Sequence, residues 1–300
     1  MINQFFKDTK PGGQLLALGL IFVLFFILSA GVTVVSTLVG ADVNTLGGLV
    51  ISQLMVFGCT AVAFALLFYD RPLRHLGMKS TERMMIKILA SCVILVCLIP
   101  MSDWLTRIND ALHFPQGLAA LEEKMRSMGE NMEWVVRDIL NREGFGDFLC
   151  NILVFALVPA VCEELLFRGA LQQLFCRMLR NHHVAIWLTA AVFSLFHGEI
   201  FAFLPRFVLG AALGYLFYYG GSIWINSTAH FLNNALAIVL YYLSTKGLVD
   251  IQAADSLNAP WYLALGGLVL AVVVFVYVFV PQKNEKHESG EKVQAMDEML

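Results

Sequence analysis

The sequence predicts an all-α polytopic membrane protein with about eight transmembrane helices set around an intramembrane cavity. Three observations lead there. Of the 300 residues, 58% are hydrophobic and only 14% are charged, and the mean hydropathy is +0.71. So few charges cannot clothe a water-soluble chain of this length, which leaves the bilayer as its natural solvent. The apolar residues are gathered into runs of about 20, the length an α-helix needs to cross roughly 30 Å of hydrocarbon. The few ionisable residues inside those runs are confined to a few spans, where such groups are costly and usually functional.

The expected spans follow in order: Leu15–Leu38, Leu49–Tyr69, Met85–Trp104, Phe148–Leu171, Val184–His197, Phe201–Tyr219, Ile223–Ser244 and Tyr262–Val280. The first run begins near Gln14 and is longer than a signal peptide, so it reads as a retained helix. The fifth is short, and the fourth has apolar residues as far as Leu179. Between the third and fourth, Leu118–Ile139 carries Leu121, Met125, Met128, Met132, Val135 and Val136 at helical spacing, with charges between them. That pattern is an amphipathic helix, lying on the membrane surface or covering the bundle; a solvated helical linker is the plainer alternative. The tail Gln282–Leu300 is polar and expected to be disordered.

Loop charge sets the orientation. Asp70–Lys87 holds five basic and two acidic residues, whereas Asp103–Asp147 holds nine acids and five bases. The first belongs in the cytoplasm with Arg177 and Arg180, and eight spans then put both termini there. The net charge of −3 and the lack of a long basic tract argue against a nucleic-acid partner. Cys59, Cys92, Cys97, Cys150, Cys162 and Cys176 lie in or beside apolar runs with no CxxC pair, and read as small hydrophobes.

The buried charges stand out against this background. The fourth span holds Glu163, Glu164 and Arg168, the fifth ends at His197, the sixth carries Arg206, and the seventh carries His230 and Asn234. Glu164 and Arg168 are four apart, share a helix face and can pair, which offsets part of the cost of burying each. Glu163 is rotated by about 100° from Glu164 and is left for chemistry; a cluster that merely holds helices together is the competing reading. Arg206 can pair with Glu199, snorkel outward or face the cavity, and a structural role ranks first. If Glu163, His197, His230 and Asn234 meet in one cavity, two hydrolytic chemistries fit. Glu163 and His197 can activate water while His230 and Asn234 stabilise an oxyanion. Alternatively, Glu163, His197 and His230 can bind zinc with an open water position. The cofactor expectation is therefore none, or zinc.

At these residues the sequence resembles the CPBP family of intramembrane endopeptidases, also called the Abi or CAAX protease family. It has EExxxR at Glu163–Arg168, FxxxH at Phe193–His197 and HxxxN at His230–Asn234, in the family's order. The resemblance implies eight helices around an intramembrane catalytic cavity. It implies that Glu163 and His197 activate water, that His230 and Asn234 form the oxyanion site, and that Glu164 and Arg168 support them. It further implies a membrane-associated peptide or protein substrate, prenylated or secreted, and a bacterial plasma-membrane location, with bacteriocin maturation or self-immunity among the roles of bacterial members. The corresponding division is residues 1–145 for N-terminal spans and the amphipathic helix, 146–245 for the catalytic core, and 246–300 for the last span and tail.

Three other protease signatures do not hold. Tyr69-Asp70 and Gly144–Asp147 imitate an aspartyl pair, but the expected topology puts them at opposite membrane faces. Ser222 with His230 imitates a serine–histidine site without the GxSG context, and HExxH is absent. The rival from another class is a non-catalytic scaffold, an immunity protein or a proton-coupled transporter.

Overall fold

The computed structural model describes residues 8–40, 46–141, 144–250 and 258–280. Nine long helices and no strand occur among them: α1 (Pro11–Leu38), α2 (Leu46–Phe68), α3 (Met84–Asp110), α4 (Ala119–Leu140), α5 (Phe145–Leu179), α6 (His182–Phe196), α7 (Phe203–Gly220), α8 (Ile223–Thr245) and α9 (Trp261–Phe279). A helix stands at each expected span, and α4 is the amphipathic connection. The expected tail, Gln282–Leu300, lies outside the described residues.

Six helical segments are long and apolar enough to cross a membrane: α1, α2, α3, α5, Ile200–Gly220 containing α7, and α9. The expected count of eight is thus approximate, and the other two depart from it for different reasons. Helix α6 has 15 residues, a rise of about 22 Å, too short for the hydrocarbon layer. Helix α8 has 23 residues, but Asn226, Ser227, His230, Asn233 and Asn234 dilute its apolarity.

Polar ties group the helix ends into two sets. At one end the Tyr69 hydroxyl donates to Gln14 Oε1 (2.9 Å), and Arg177 Nη2 donates to the same oxygen (2.8 Å). There too Ser222 Oγ donates to the Lys79 carbonyl (2.6 Å) and Ile223 N to the Gly77 carbonyl (2.9 Å). Gly77 has φ +80°, and a Cβ there would come within 2.7 Å of the Phe217 ring, so the turn needs glycine. At the other end Asn109 is buried and holds two elements at once. Its Nδ2 donates to the Ile200 carbonyl (3.0 Å), and its Oδ1 accepts from Leu204 N in the first turn of α7 (2.8 Å). Tyr241 of α8 reaches Asn141 after α4 there (2.7 Å), and Leu140 packs with Phe148 and Phe155 of α5. Helix α4 therefore covers part of this end, with Leu121, Met128 and Trp134 exposed.

The aspartyl signature fails on this arrangement. Asp70 follows Tyr69, which is tied to Arg177 near the end of α5, whereas Asp147 lies in the first turn of the same helix. About 45 Å of helix separates those two levels. Ser222 is fully buried and bonded to Lys79, which accounts for it structurally.

Helix α5 carries the double glutamate and is not uniform. Wide π-type turns occupy Ile152–Leu157 and Leu165–Gln172. Pro159 has no N–H and its ring crowds the Phe155 carbonyl four residues back, which the first wide turn accommodates. Glu163 and Glu164 fall between the two, with about 27 Å of helix before Glu163 and about 24 Å after it, near the middle of α5.

Candidate active site

Glu164 and Arg168 are completely buried and bonded, Nη1 to Oε1 at 2.6 Å. The guanidinium also donates from Nη2 to the Gly210 carbonyl (2.9 Å) and lies over the Phe193 ring, 4.6 Å from its centroid. One turn on, Gln172 Nε2 donates to the Gly214 carbonyl (3.0 Å). A Cβ on Gly214 would stand 2.8 Å from Gln172 Oε1 and 2.9 Å from Ile186 Cγ2, so the glycine lets α5 and α7 close on one another. The sequence-expected pair exists, and it joins α5 to both α6 and α7.

Glu164 does more than pair with Arg168. Its Oε1 also accepts from His230 Nδ1 (2.9 Å), and its Oε2 accepts from Asn226 Nδ2. Asn226 and His230 are four apart on α8, so one helix face delivers both donors. A carboxylate at Nδ1 orients the ring and leaves Nε2 toward the cavity, where it stands 4.0 Å from Glu163 Oε2.

His197 is presented differently. Because α6 stops short, His197 sits at its C-terminal end, and Gly198 turns the chain at φ +71°. The His197 main-chain N–H bonds to Ser194 O (3.3 Å), and its Nδ1 donates to the Phe193 carbonyl (2.9 Å). Nε2 is then the acceptor of the neutral ring. Irregular backbone at this depth is tolerated where it lines a cavity.

That cavity has a volume of about 1100 Å³, and Glu163, His197, His230 and Asn234 all line it. The Phe193 ring meets both histidines edge-on, with centroids 4.8 Å from His197 and 6.0 Å from His230. Asn234 Oδ1 accepts from Asn233 Nδ2 (3.3 Å), which leaves its own amide nitrogen to donate. Arg206 pairs with Glu199, as expected, and also lines the wall. The exposed residues Thr106, Arg107, Asp110 and Arg137 mark the mouth, on the α4 side.

Glu163, His197 and His230 line one wall, yet among the described residues no group of three His, Cys, Asp or Glu side chains is gathered to hold one metal ion.

Three contributors escaped the sequence reading. Asn226 stands four before His230, a spacing that identifies it in retrospect. Phe193 is a motif position whose spacing says nothing of its contact with both histidines. Gln53 of α2 donates from Nε2 to Glu163 Oε1 at 2.7 Å; its one signal was a lone amide in an apolar run.

Comparison with known proteins bears on the same segment. Residues 145–236 match the family model described as type II CAAX prenyl endopeptidase Rce1-like, and all three motifs fall inside the match. The uncharacterized protein YpbD of Bacillus subtilis (strain 168) is 28% identical over 90 residues, 29% of this chain. The match spans 43% of YpbD's own length. No solved structure matches.

Proposed function

We propose that this protein is an intramembrane endopeptidase of the CAAX-protease type, acting on a membrane-associated peptide. The observation that carries the reading is the convergence of Glu163, His197, His230 and Asn234, from three helices, on one cavity. Glu163, with the Nε2 acceptor of His197 holding the same water, takes one proton as the water attacks the scissile carbonyl, and that proton passes to the leaving amine as the C–N bond breaks. The oxyanion role asks His230 to carry a proton on each ring nitrogen, Nδ1 bonded to Glu164 and Nε2 donating to the developing oxyanion, with the Asn234 amide donating beside it. Glu164 carries the charge of Arg168 and the orientation of His230 together, which leaves Glu163 as the carboxylate facing the cavity.

The basic end of the bundle, with Arg71, Arg74, Lys79 and Arg177, is assigned to the cytoplasm of a bacterial plasma membrane, so both termini lie there. The cavity mouth is at the opposite end, and substrate reaches it from outside or laterally from the bilayer.

The test compares peptides released from membranes bearing the wild type with those bearing Glu163→Gln or His230→Ala. Peptides should vanish in both variants while folded protein persists. Full release by either purified variant refutes the assignment. Metal analysis of active protein, with chelator treatment, decides whether an ion takes part.

A further inference from the structure

Helix α2 lies outside the segment that matches the protease family, yet it touches the carboxylate assigned to water activation. We propose that Gln53 is a positioning residue that fixes Glu163 by holding Oε1, so that Oε2 is the oxygen that acts. The inference rests on the functional reading above. Gln53 Nε2 donates to Glu163 Oε1 at 2.7 Å, while Glu163 Oε2 faces His230 Nε2 at 4.0 Å. The two oxygens are thereby given different tasks.

The reach of Gln53 is built into α2. A wide turn at Leu54–Cys59 follows it directly, and in such a turn the main-chain bond spans five residues rather than four, which swings residues five apart toward the same side. Gln53 and Gly58 are five apart, and Gly58 packs against α5. A Cβ on Gly58 would stand 3.3 Å from the Sγ of Cys162, the neighbour of Glu163. In a regular α-helix those two positions point away from one another. The wide turn therefore puts the amide and the close-contact glycine on one face, against the residue pair Cys162-Glu163. Ser29 of α1 donates to Ser52 Oγ at 3.2 Å, which ties the same turn of α2 from behind.

A glutamate side chain loses rotamer freedom when it is ordered. Gln53 orders this one before substrate arrives, which is the circumstance in which positioning raises kcat rather than affinity. Gln53→Met keeps length and volume but removes the donor. Gln53→Glu keeps shape but places a second carboxyl against the first, and two carboxyls in contact share a proton rather than both ionising.

The experiment uses the full chain in liposomes. The infrared difference between wild type and Glu163→Gln isolates the Glu163 carboxylate band. Gln53→Met should shift that band, and Gln53→Glu should add a protonated carboxyl band. On a peptide released by the wild type and spared by Glu163→Gln, Gln53→Met should lower kcat by about 10- to 100-fold with KM unchanged. An unmoved band, a wild-type kcat, or a loss confined to KM each overturns the role of Gln53. Cleavage that survives in Glu163→Gln overturns the functional reading instead. If Gln53→Met does not fold, Gln53→Glu carries the same spectroscopic test.

Discussion

Arg168→Ala should be among the most damaging single substitutions in the chain. Arg168 and Glu164 are both 0% exposed and 2.6 Å apart. Deleting one member of a buried ion pair costs about 3–5 kcal/mol, because the other charge is left without its counter-charge. The guanidinium also loses its place over Phe193, 4.6 Å away, a contact worth up to about 2 kcal/mol when desolvated. Against these losses, Glu164 keeps its bonds from His230 and Asn226. The expected sum is about 4 kcal/mol, a large share of the 5–15 kcal/mol that holds a typical domain together. At a few degrees per kcal/mol, the midpoint should fall on the order of 10 °C. Tryptophan fluorescence during heating of the purified chain in detergent reads it. The double variant Glu164→Gln/Arg168→Met removes both charges and should recover most of the lost stability. It should stay inactive, because His230 no longer has a carboxylate at Nδ1. An unchanged midpoint for Arg168→Ala refutes the pairing, and activity in the double variant refutes the orienting role of Glu164.

Two further expectations concern groups outside the spans. Glu122 accepts from Phe114 N–H (2.7 Å), and with His113 and Arg126 this holds its carboxyl down at about 2, against an ordinary 4.5. Its contribution is therefore complete above pH 4.5 and lost as pH falls toward 2. Hydrogen exchange at the Phe114 amide, corrected for its intrinsic rate, should lose protection over that interval, and Glu122→Gln should lose it at neutral pH; a pH-independent amide refutes the contact. His75 stacks on Tyr69 with ring centroids 3.4 Å apart, and burial, then Arg177, pushes its pKa from 6.5 to about 3. The unfolded chain binds the extra proton, so stability should decline as pH drops from 6.5 toward 3. His75→Phe keeps the stack and should flatten the dependence of the thermal midpoint on pH across that interval; parallel curves for the two proteins refute the assignment.

What the sequence made legible follows from what the bilayer hides. A span that is apolar on every side announces its existence by length but carries no record of which face meets which neighbour. Helices α1, α2 and α9 were readable in that limited sense, and their packing was not. Polar residues break the silence. Glu164 with Arg168, and His230 with Asn234, could be placed on shared faces from their spacing alone, and the structure sets all four around one buried cluster and cavity. Two kinds of feature stayed hidden. The wide turns at Leu54–Cys59 and Leu165–Gln172 shift helical phase without any residue type that demands it. The Gln53–Glu163 bond joins positions 110 apart in sequence through one such shift.

Helix α8 shows how one chemical fact can mislead and inform at once. Its asparagines, serine and histidine dilute the apolarity that would mark it as a span. In hydrocarbon most of those groups find a partner or a cavity, since an unpaired one costs on the order of several kcal/mol, and Ser227 Oγ is buried without one among the described residues. Asn226 and His230 found Glu164, and Asn234 lines the cavity. The polarity that makes α8 a poor span is therefore the polarity that fixes its face and builds one wall of the site. The same reasoning extends to Gln53. A lone amide in an otherwise apolar run needs a partner, and a carboxylate on the neighbouring helix is the strongest acceptor within its reach.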